Sequence, residues 1–344
     1  MESSPDDLAA RLLRCPVGCA FLLTIARDQI PVAVAVTPRQ AFARAVVALE
    51  ALNPWSGHFE QAVTAALSQG SSLKSLARAV AGHPASRWWT DPSDRSRQVL
   101  ISNDERDRAS SRRLQPESVA HWEAYAQRPL PWRITSTLRG EFSCVDTVLG
   151  SGDWLEPEEY GRFAAEIEPT ARVLEVTSPA DWHELCVSFP SINQNRSSPA
   201  GAGSLSPDWG RVASRWDGIH LTFAGLLTTP FVRHNSTAGT TMLWSWDAEG
   251  TTWLPGDFLR KGSPLAPLDP NASECRAVGP LLDDELGIPD WPSDGSRVLY
   301  RGYCYYPCLT GRPSTDRFAA ILPERSTPRS PRSPLHRHAR GLPR

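Results

Sequence analysis

The chain has 344 residues and a formal net charge of −2, and 40% of its residues are hydrophobic against 22% that are charged. These proportions are typical of globular proteins and exclude a chain that is disordered over most of its length. The longest apolar run, 15–26, is shorter than the ~18 residues of a membrane-spanning helix. Because Asp6 and Asp7 precede this run and no clean signal-cleavage site follows it, we expect a cytoplasmic protein without a membrane segment.

Charge and cysteine content restrict the partners and the compartment. Residues 325–344 contain six arginines and no acidic residue, whereas residues 1–324 contain 30 basic and 38 acidic side chains. The acidic body therefore has no strong nucleic-acid signal outside the basic tail. The tail itself, 323–344, is rich in Arg, Pro and Ser and is predicted to be disordered. Seven scattered cysteines, an odd number, indicate reduced thiols.

Residues 1–103 are predicted to form a small helical bundle. Thr37 followed by Pro38 is typical of a helix start, and apolar residues then keep helical spacing to residue 52. Further helices are predicted over 58–67 and 72–82. Their short connections favour antiparallel packing.

A second domain is predicted over 114–322, after a linker at 104–113 that carries seven charges and no large apolar side chain. It has a helix at 117–127 and two further helices that begin at Ser178 and Ser206 with Ser, Pro, an acid and Trp. Its strands are recognised by their β-branched and aromatic residues. The strand segments are ITSTL (134–138), ARVLEV (171–176), IHLTFAGLL (219–227) and TTMLWSW (240–246). The sequence thus predicts an α+β fold: an N-terminal helical bundle, a mixed β-sheet with short helices, and a disordered C-terminal tail.

Common cofactor and metal motifs do not occur in the sequence. GxxxxGK[ST], GxGxxG, GxSxG and HExxH do not occur, so the cofactor stays unknown and no metal site is predicted. The CxxxC pairs Cys15/Cys19 and Cys304/Cys308 would each need two further ligands to bind zinc. The first pair begins an apolar helix, where cysteine behaves as a small hydrophobic residue.

His220 is the first candidate for chemistry. It alternates with Ile219 and Leu221 on a predicted strand, so it faces solvent or a cleft if those two face the core. Its ordinary pKa suits acid–base catalysis near neutral pH. Asp217, just before this strand, is a candidate ligand-binding residue. The alternative interpretations are a structural histidine and an aspartate that caps a turn.

Glu249 is the second candidate because tryptophans flank it. A carboxylate among indole rings loses hydration, which raises its pKa towards catalytic values. Trp244 and Trp246 are predicted to stack against a planar small-molecule ligand. The alternative is that WDAEG (246–250) is the turn of a hairpin whose acids lie in water.

A third candidate, Arg133, comes from a partial resemblance to a known family. Arg133, the run Thr135-Ser136-Thr137 and Glu249 resemble the Arg, Ser-Thr-Ser and Glu trio of ADP-ribosyltransferases. In that family the arginine lies on a different strand from the hydroxyl triplet, whereas here both stand on one predicted strand. The resemblance covers about five of the 344 residues and implies that Arg133 acts together with Glu249.

Two classes of function are compatible with these patterns. The first is an enzyme or ligand-binding protein whose pocket lies at the ends of the strands that carry Arg133, His220 and Glu249. The second is a non-catalytic interaction module, in which the bundle docks a partner and the tail contacts an acidic surface. Polar side chains that converge beside a Trp-lined pocket favour the first class. An exposed apolar patch on the bundle favours the second. We favour the first, with substrate and partners unknown.

Overall fold

Helices followed by mixed sheets make up the described structure, which confirms the predicted α+β class. The computed structural model describes residues 4–52, 58–102, 133–146, 161–193, 198–244, 246, 248–254, 256–266 and 286. The predicted linker (104–113), helix (117–127) and C-terminal tail (323–344) lie outside these residues. The division into domains therefore stays a prediction.

The N-terminal helices begin where local signals place them. The Ser4 hydroxyl accepts the Asp7 backbone N–H at 3.2 Å and caps the first helix. The helices predicted from Thr37, over 58–67 and over 72–82 are all confirmed. The helices are α1 (Pro5–Arg14), α2 (Pro16–Arg27), α3 (Val32–Ala35), α4 (Pro38–Ala51), α5 (Phe59–Ser68) and α6 (Lys74–Ala81). Short 3₁₀ helices follow at Pro84–Thr90 and Arg95–Arg97.

The apolar α2 is a core helix. Nine of its twelve residues are buried. It approaches α1 so closely that a side chain at Gly18 would place its Cβ 2.3 Å from the Leu12 carbonyl oxygen. Among the described residues no single helix is long and apolar enough to cross a membrane. Only α1 and α2 together reach that length, and they are bent by 99°.

The larger sheet has seven strands. They are β1 (Gln98–Ser102), β2 (Arg133–Thr137), β3 (Gly161–Ile167), β4 (Val173–Val176), β7 (Gly218–Leu221), β10 (Gly250–Trp253) and β11 (Leu259–Pro264). The order across the sheet is β11-β3-β1-β2-β10-β7-β4, and all neighbours are antiparallel except β4 and β7. A smaller sheet contains β5 (Pro190–Ile192), β6 (Leu205–Pro207), β8 (His234–Ser236) and β9 (Gly239–Thr241).

One face of the larger sheet packs against the helices. Ile219 and Leu221 of β7 are fully buried in the main hydrophobic core, together with Phe21 of α2. Aromatic rings pack the helices against one another, since the centroid of the Phe223 ring lies 5.5 Å from that of Phe42 in an edge-to-face arrangement. Because side chains alternate along a strand, His220 faces away from this core.

The prediction of a strand over 219–227 is wrong after Leu221. The Thr222 hydroxyl accepts the Gly225 N–H at 2.9 Å and begins a helix, α9 (Phe223–Thr228). A Cβ at position 225 would lie 2.4 Å from the Val176 carbonyl oxygen, so only glycine lets this helix pack on the end of β4.

The two later helices differ in how well the sequence located them. The start at Ser178 is confirmed, because its hydroxyl caps α7 (Pro179–Ser188). The start at Ser206 is wrong. That residue pairs with β5 as part of β6, and Asp208 instead caps the shorter α8 (Trp209–Val212).

The interpretation of 246–250 as a hairpin turn is also wrong. The strand predicted over 240–246 ends at Thr241, as β9 of the smaller sheet, and β10 belongs to the larger sheet. The segment therefore connects two sheets instead of two paired strands. Glu249 is 1% exposed, so its carboxylate is not in water.

Candidate functional site

Strand register brings a glutamate to each side of His220. β7 lies between β4 and β10, and His220 is directly opposite Glu175 on β4 and Thr251 on β10. Opposed residues point to the same face of a sheet. Glu249 immediately precedes β10, where it can reach the same imidazole.

Both ring nitrogens of His220 contact carboxylates. Nδ1 makes a hydrogen bond to Oε2 of Glu175, and Nε2 lies 3.2 Å from Oε1 of Glu249. His220 and Glu249 are each 1% exposed, whereas the Glu175 side chain is 30% exposed. The prediction that His220 faces solvent or a cleft is therefore wrong. The imidazole is enclosed, and Glu175 stands between it and the solvent.

Glu249 is held in place at its side chain and its backbone. The Ser136 hydroxyl on β2 donates to Oε2 of Glu249 at 2.6 Å, and the Cys144 N–H donates to the Ser136 Oγ at 3.1 Å. The Glu249 N–H donates to the Cys144 thiol sulfur at 3.3 Å. We call Glu175, His220, Glu249 and Ser136 the acid–base chain.

A buried ion pair fixes the helical segment 144–146, which begins with Cys144. The Asp146 carboxylate accepts the Ser143 N–H at 2.9 Å and the Ser143 hydroxyl at 2.8 Å. Arg162 on β3 donates to both oxygens of Asp146, at 2.7 and 2.9 Å. Because a bidentate pair restrains both partners, this contact holds the residues that position Glu249.

The exposed end of the acid–base chain is covered by a short segment before β1. The Ser93 N–H donates to Oε1 of Glu175 at 3.1 Å. The Ser93 hydroxyl lies 3.2 Å from the Thr251 hydroxyl, which is opposite His220. Ser93 therefore bridges the two strands on either side of β7.

The two carboxylates keep His220 charged. Burial alone would lower its pKa, but the hydrogen bonds and charges of Glu175 and Glu249 outweigh that effect and raise the pKa from 6.5 to about 9. The ring is therefore an imidazolium at neutral pH and donates through both nitrogens. One imidazolium between two carboxylates leaves an excess of one negative charge.

The predicted Arg133 site is only partly assembled. The Ser136 hydroxyl of the triplet does meet Glu249, but the Arg133 guanidinium donates to the Leu259 carbonyl at the opposite end of β2. Thr135, also in the triplet, donates to Gln98 at 2.7 Å and accepts the indole N–H of Trp253 at 2.9 Å. A catalytic role for Arg133 stays a prediction.

The predicted ligand-binding residues lie elsewhere. Trp244 and Trp246 are buried in the main core, where the Trp246 ring is 5.9 Å from that of Trp182. The Asp217 carboxylate is engaged by Arg172, which donates through its guanidinium at 2.9 and 3.1 Å and through its backbone N–H at 2.7 Å. The hydrogen bonds from Arg172 hold the pKa of Asp217 below its usual value. Ligand binding by these three residues stays a prediction.

Two members of the arrangement, Glu175 and Ser93, were not proposed from the sequence, and Ser136 was noted only as part of the hydroxyl triplet. The sequence could have identified Glu175 as a site residue, because it is a single acid inside the otherwise apolar strand VLEV (173–176). An acid in such a strand needs a partner when the strand is buried. Ser93 stands in a polar segment and shows no comparable signal.

The donor set suits proton transfer better than metal binding. In the part of the chain that the structure describes, no group of three His, Cys, Asp or Glu side chains is placed to hold a metal ion. Glu175 and Glu249 contact opposite nitrogens of one ring, so their oxygens do not converge on a point. Burial raises the pKa of the Cys15 thiol to about 12 and that of Cys19 to about 11, so both thiols stay protonated.

Comparison of the chain with known protein families, curated proteins and solved structures finds no match.

Proposed function

We propose that this chain is an enzyme that performs acid–base chemistry on a small molecule at Glu175, with His220 and Glu249 as internal proton partners. The observation that carries this proposal is the imidazole bonded through both nitrogens to carboxylates, one of which is partly exposed. Burying ionised groups is costly, and an apolar core of the same volume is often as stable. Perturbed ionisable groups of this kind concentrate at functional sites.

A proton can move between His220 and Glu175 while both hydrogen bonds of the imidazole stay in place. When His220 is charged, its Nδ1–H donates to Glu175, and transfer of that proton yields a carboxylic acid and a neutral imidazole. The neutral ring still carries the Nε2–H that donates to Glu249. Glu175 can thus give a proton to a ligand or take one from it, while His220 supplies or accepts the balance.

Charge limits the class of ligand that fits. Glu175, His220 and Glu249 together carry one excess negative charge, which disfavours an anion beside Glu175. It favours a neutral or cationic molecule with an N–H or O–H donor. Thr251 and Ser93 add hydroxyl groups at the same end. We therefore propose a polar, uncharged or amine-bearing substrate.

Ligand-dependent stabilisation tests this function. The unfolding temperatures of the wild-type protein and Glu175→Gln are measured with a panel of small amines, amides, sugars and carboxylates. We expect at least one amine, amide or sugar to stabilise the wild type and not the variant, because bound ligands raise stability only where they bind. Val187→Ala, at an exposed position of α7, is the matched control and should respond like the wild type. If no compound distinguishes wild type from Glu175→Gln, the proposal is wrong.

The alternative of an interaction module has less support. Among the described residues the exposed large apolar side chains are Val34, Leu67, Val187 and Ile192, which lie on four different elements. A docking face would place several of them on one element.

We further propose a cytoplasmic location, because the four described cysteines are free and buried.

A further inference from the structure

Access to the acid–base chain is concentrated at Glu175. Among its four members Ser136, His220 and Glu249 are almost completely buried, and Glu175 alone has an appreciable exposed fraction. The N–H of Ser93 occupies Oε1 of this glutamate. A ligand that exchanges a proton with Glu175 must therefore approach or displace the segment that carries Ser93.

That segment, residues 91–97, is here called the strap. Its sequence, DPSDRSR, contains no large apolar side chain, and most of its residues are exposed. Its tertiary contacts are polar. Besides those of Ser93, Arg95 donates to the Pro169 carbonyl at 2.6 Å. At the two ends of the strap, Arg139 donates to the Asp91 carboxylate at 3.3 Å and the Leu138 N–H donates to the Arg97 carbonyl at 2.6 Å. Segments that are held by a few hydrogen bonds and bury little apolar area are those that open locally.

The two ends of the strap are fixed, unlike its middle. Trp89 precedes it and is fully buried in the aromatic cluster with Phe21 and Phe223. Gln98 follows it, is buried and begins β1. A short polar segment between two rigid anchors can move away from the sheet without disturbing the core.

We propose that the strap is a gate over the Glu175–His220 pair: it opens when the two Ser93 contacts and the Arg95–Pro169 contact break, and opening admits water and ligand. The ligand part of this statement rests on the proposed function, whereas the access of water does not. The gate regulates the exposed end of the acid–base chain, because the Ser93 N–H and a ligand donor compete for the same oxygen of Glu175.

Exchange of the His220 ring protons with water, measured by ¹⁵N NMR on the full-length chain, tests the gate. Ser93→Ala removes the contact with Thr251 and should speed exchange by about fivefold or more, the factor expected from one lost hydrogen bond. The double variant Ser93→Cys/Thr251→Cys replaces hydroxyls that are 3.2 Å apart, and oxidation should join the two thiols. The oxidised pair should slow exchange to a similar extent, and reduction should restore it.

Ser96→Ala is the matched control. The Ser96 hydroxyl donates to Asp94, which also lies in the strap, so its loss breaks no described contact between the strap and the sheet. Exchange should therefore stay within about twofold of the wild type. Equal exchange rates in wild type, Ser93→Ala and the oxidised cysteine pair would overturn the gate. If Glu175→Gln still abolished ligand stabilisation in that case, the proposed function would stand without it. Exchange rates that respond as expected, with no ligand that distinguishes Glu175→Gln, would support the gate and contradict the proposed function.

Discussion

The raised pKa of His220 makes stability depend on pH in a defined direction. A pKa raised from 6.5 in the unfolded chain to about 9 in the folded protein means that protonation favours folding. Because a pKa difference of one corresponds to about 1.4 kcal/mol, the stabilisation is about 3 kcal/mol. It is present in full below pH 6.5 and is lost as the pH rises through 9. Glu249→Gln removes one of the two carboxylates and should remove about half of this gain, 1–2 kcal/mol.

Urea unfolding of both proteins at several pH values between 6 and 9.5 measures this effect. The variant should be less stable than the wild type at pH 6, and the two curves should converge towards pH 9.5. The buried thiols of Cys15 and Cys19 also lower the stability of the folded protein at high pH. Their contribution is the same in both proteins and cancels in the difference between the free energies of unfolding. A difference between the proteins that stays constant over this range would refute the assignment of a charged His220.

Two further predictions concern the frame around the site. Trp182→Ala should lower the free energy of unfolding by about 3–5 kcal/mol, because the indole is fully buried, whereas the exposed-site variant Val187→Ala should cost less than about 1 kcal/mol in the same urea titration. Arg162→Ala leaves Asp146 buried without its ion pair and should cost about 3–5 kcal/mol by thermal and urea unfolding, while Arg260→Ala, which breaks an exposed pair, should cost less than about 1 kcal/mol. Similar costs for the two arginines would show that the Asp146 pair does not fix the helical segment 144–146.

Local sequence signals predicted the parts of the fold that local physics decides. Ser178-Pro179 marks a helix start because the serine cap and the proline act within one turn. At Thr37-Pro38 the helix also begins with the proline, but the Thr37 hydroxyl donates to the Val34 carbonyl at 2.8 Å and does not cap the helix. Thr222 was missed because the apolar run after it suits a strand as well as a helix. The packing of Gly225 against Val176, a long-range contact, decides between them.

The candidate site was predicted in part. His220 and Glu249, which were proposed to line one pocket, do come together. The partner at the other ring nitrogen, Glu175, depends on the parallel pairing of β4 with β7, and no residue pattern specifies that register. The tryptophans were expected at the ligand because they flank Glu249 in sequence. In the structure Trp244 belongs to the main core, because the chain crosses between two sheets there.

Titration of the His220 ring nitrogens by ¹⁵N NMR shows whether the imidazole is charged between its two carboxylates. We expect that both nitrogens carry protons at pH 7, that the ring titrates with a pKa near 9, and that the pKa is clearly lower in Glu175→Gln. A ring that is neutral at pH 7 and titrates near 6.5 in both proteins would contradict the acid–base chain, because the two carboxylates would then not raise the pKa of the imidazole.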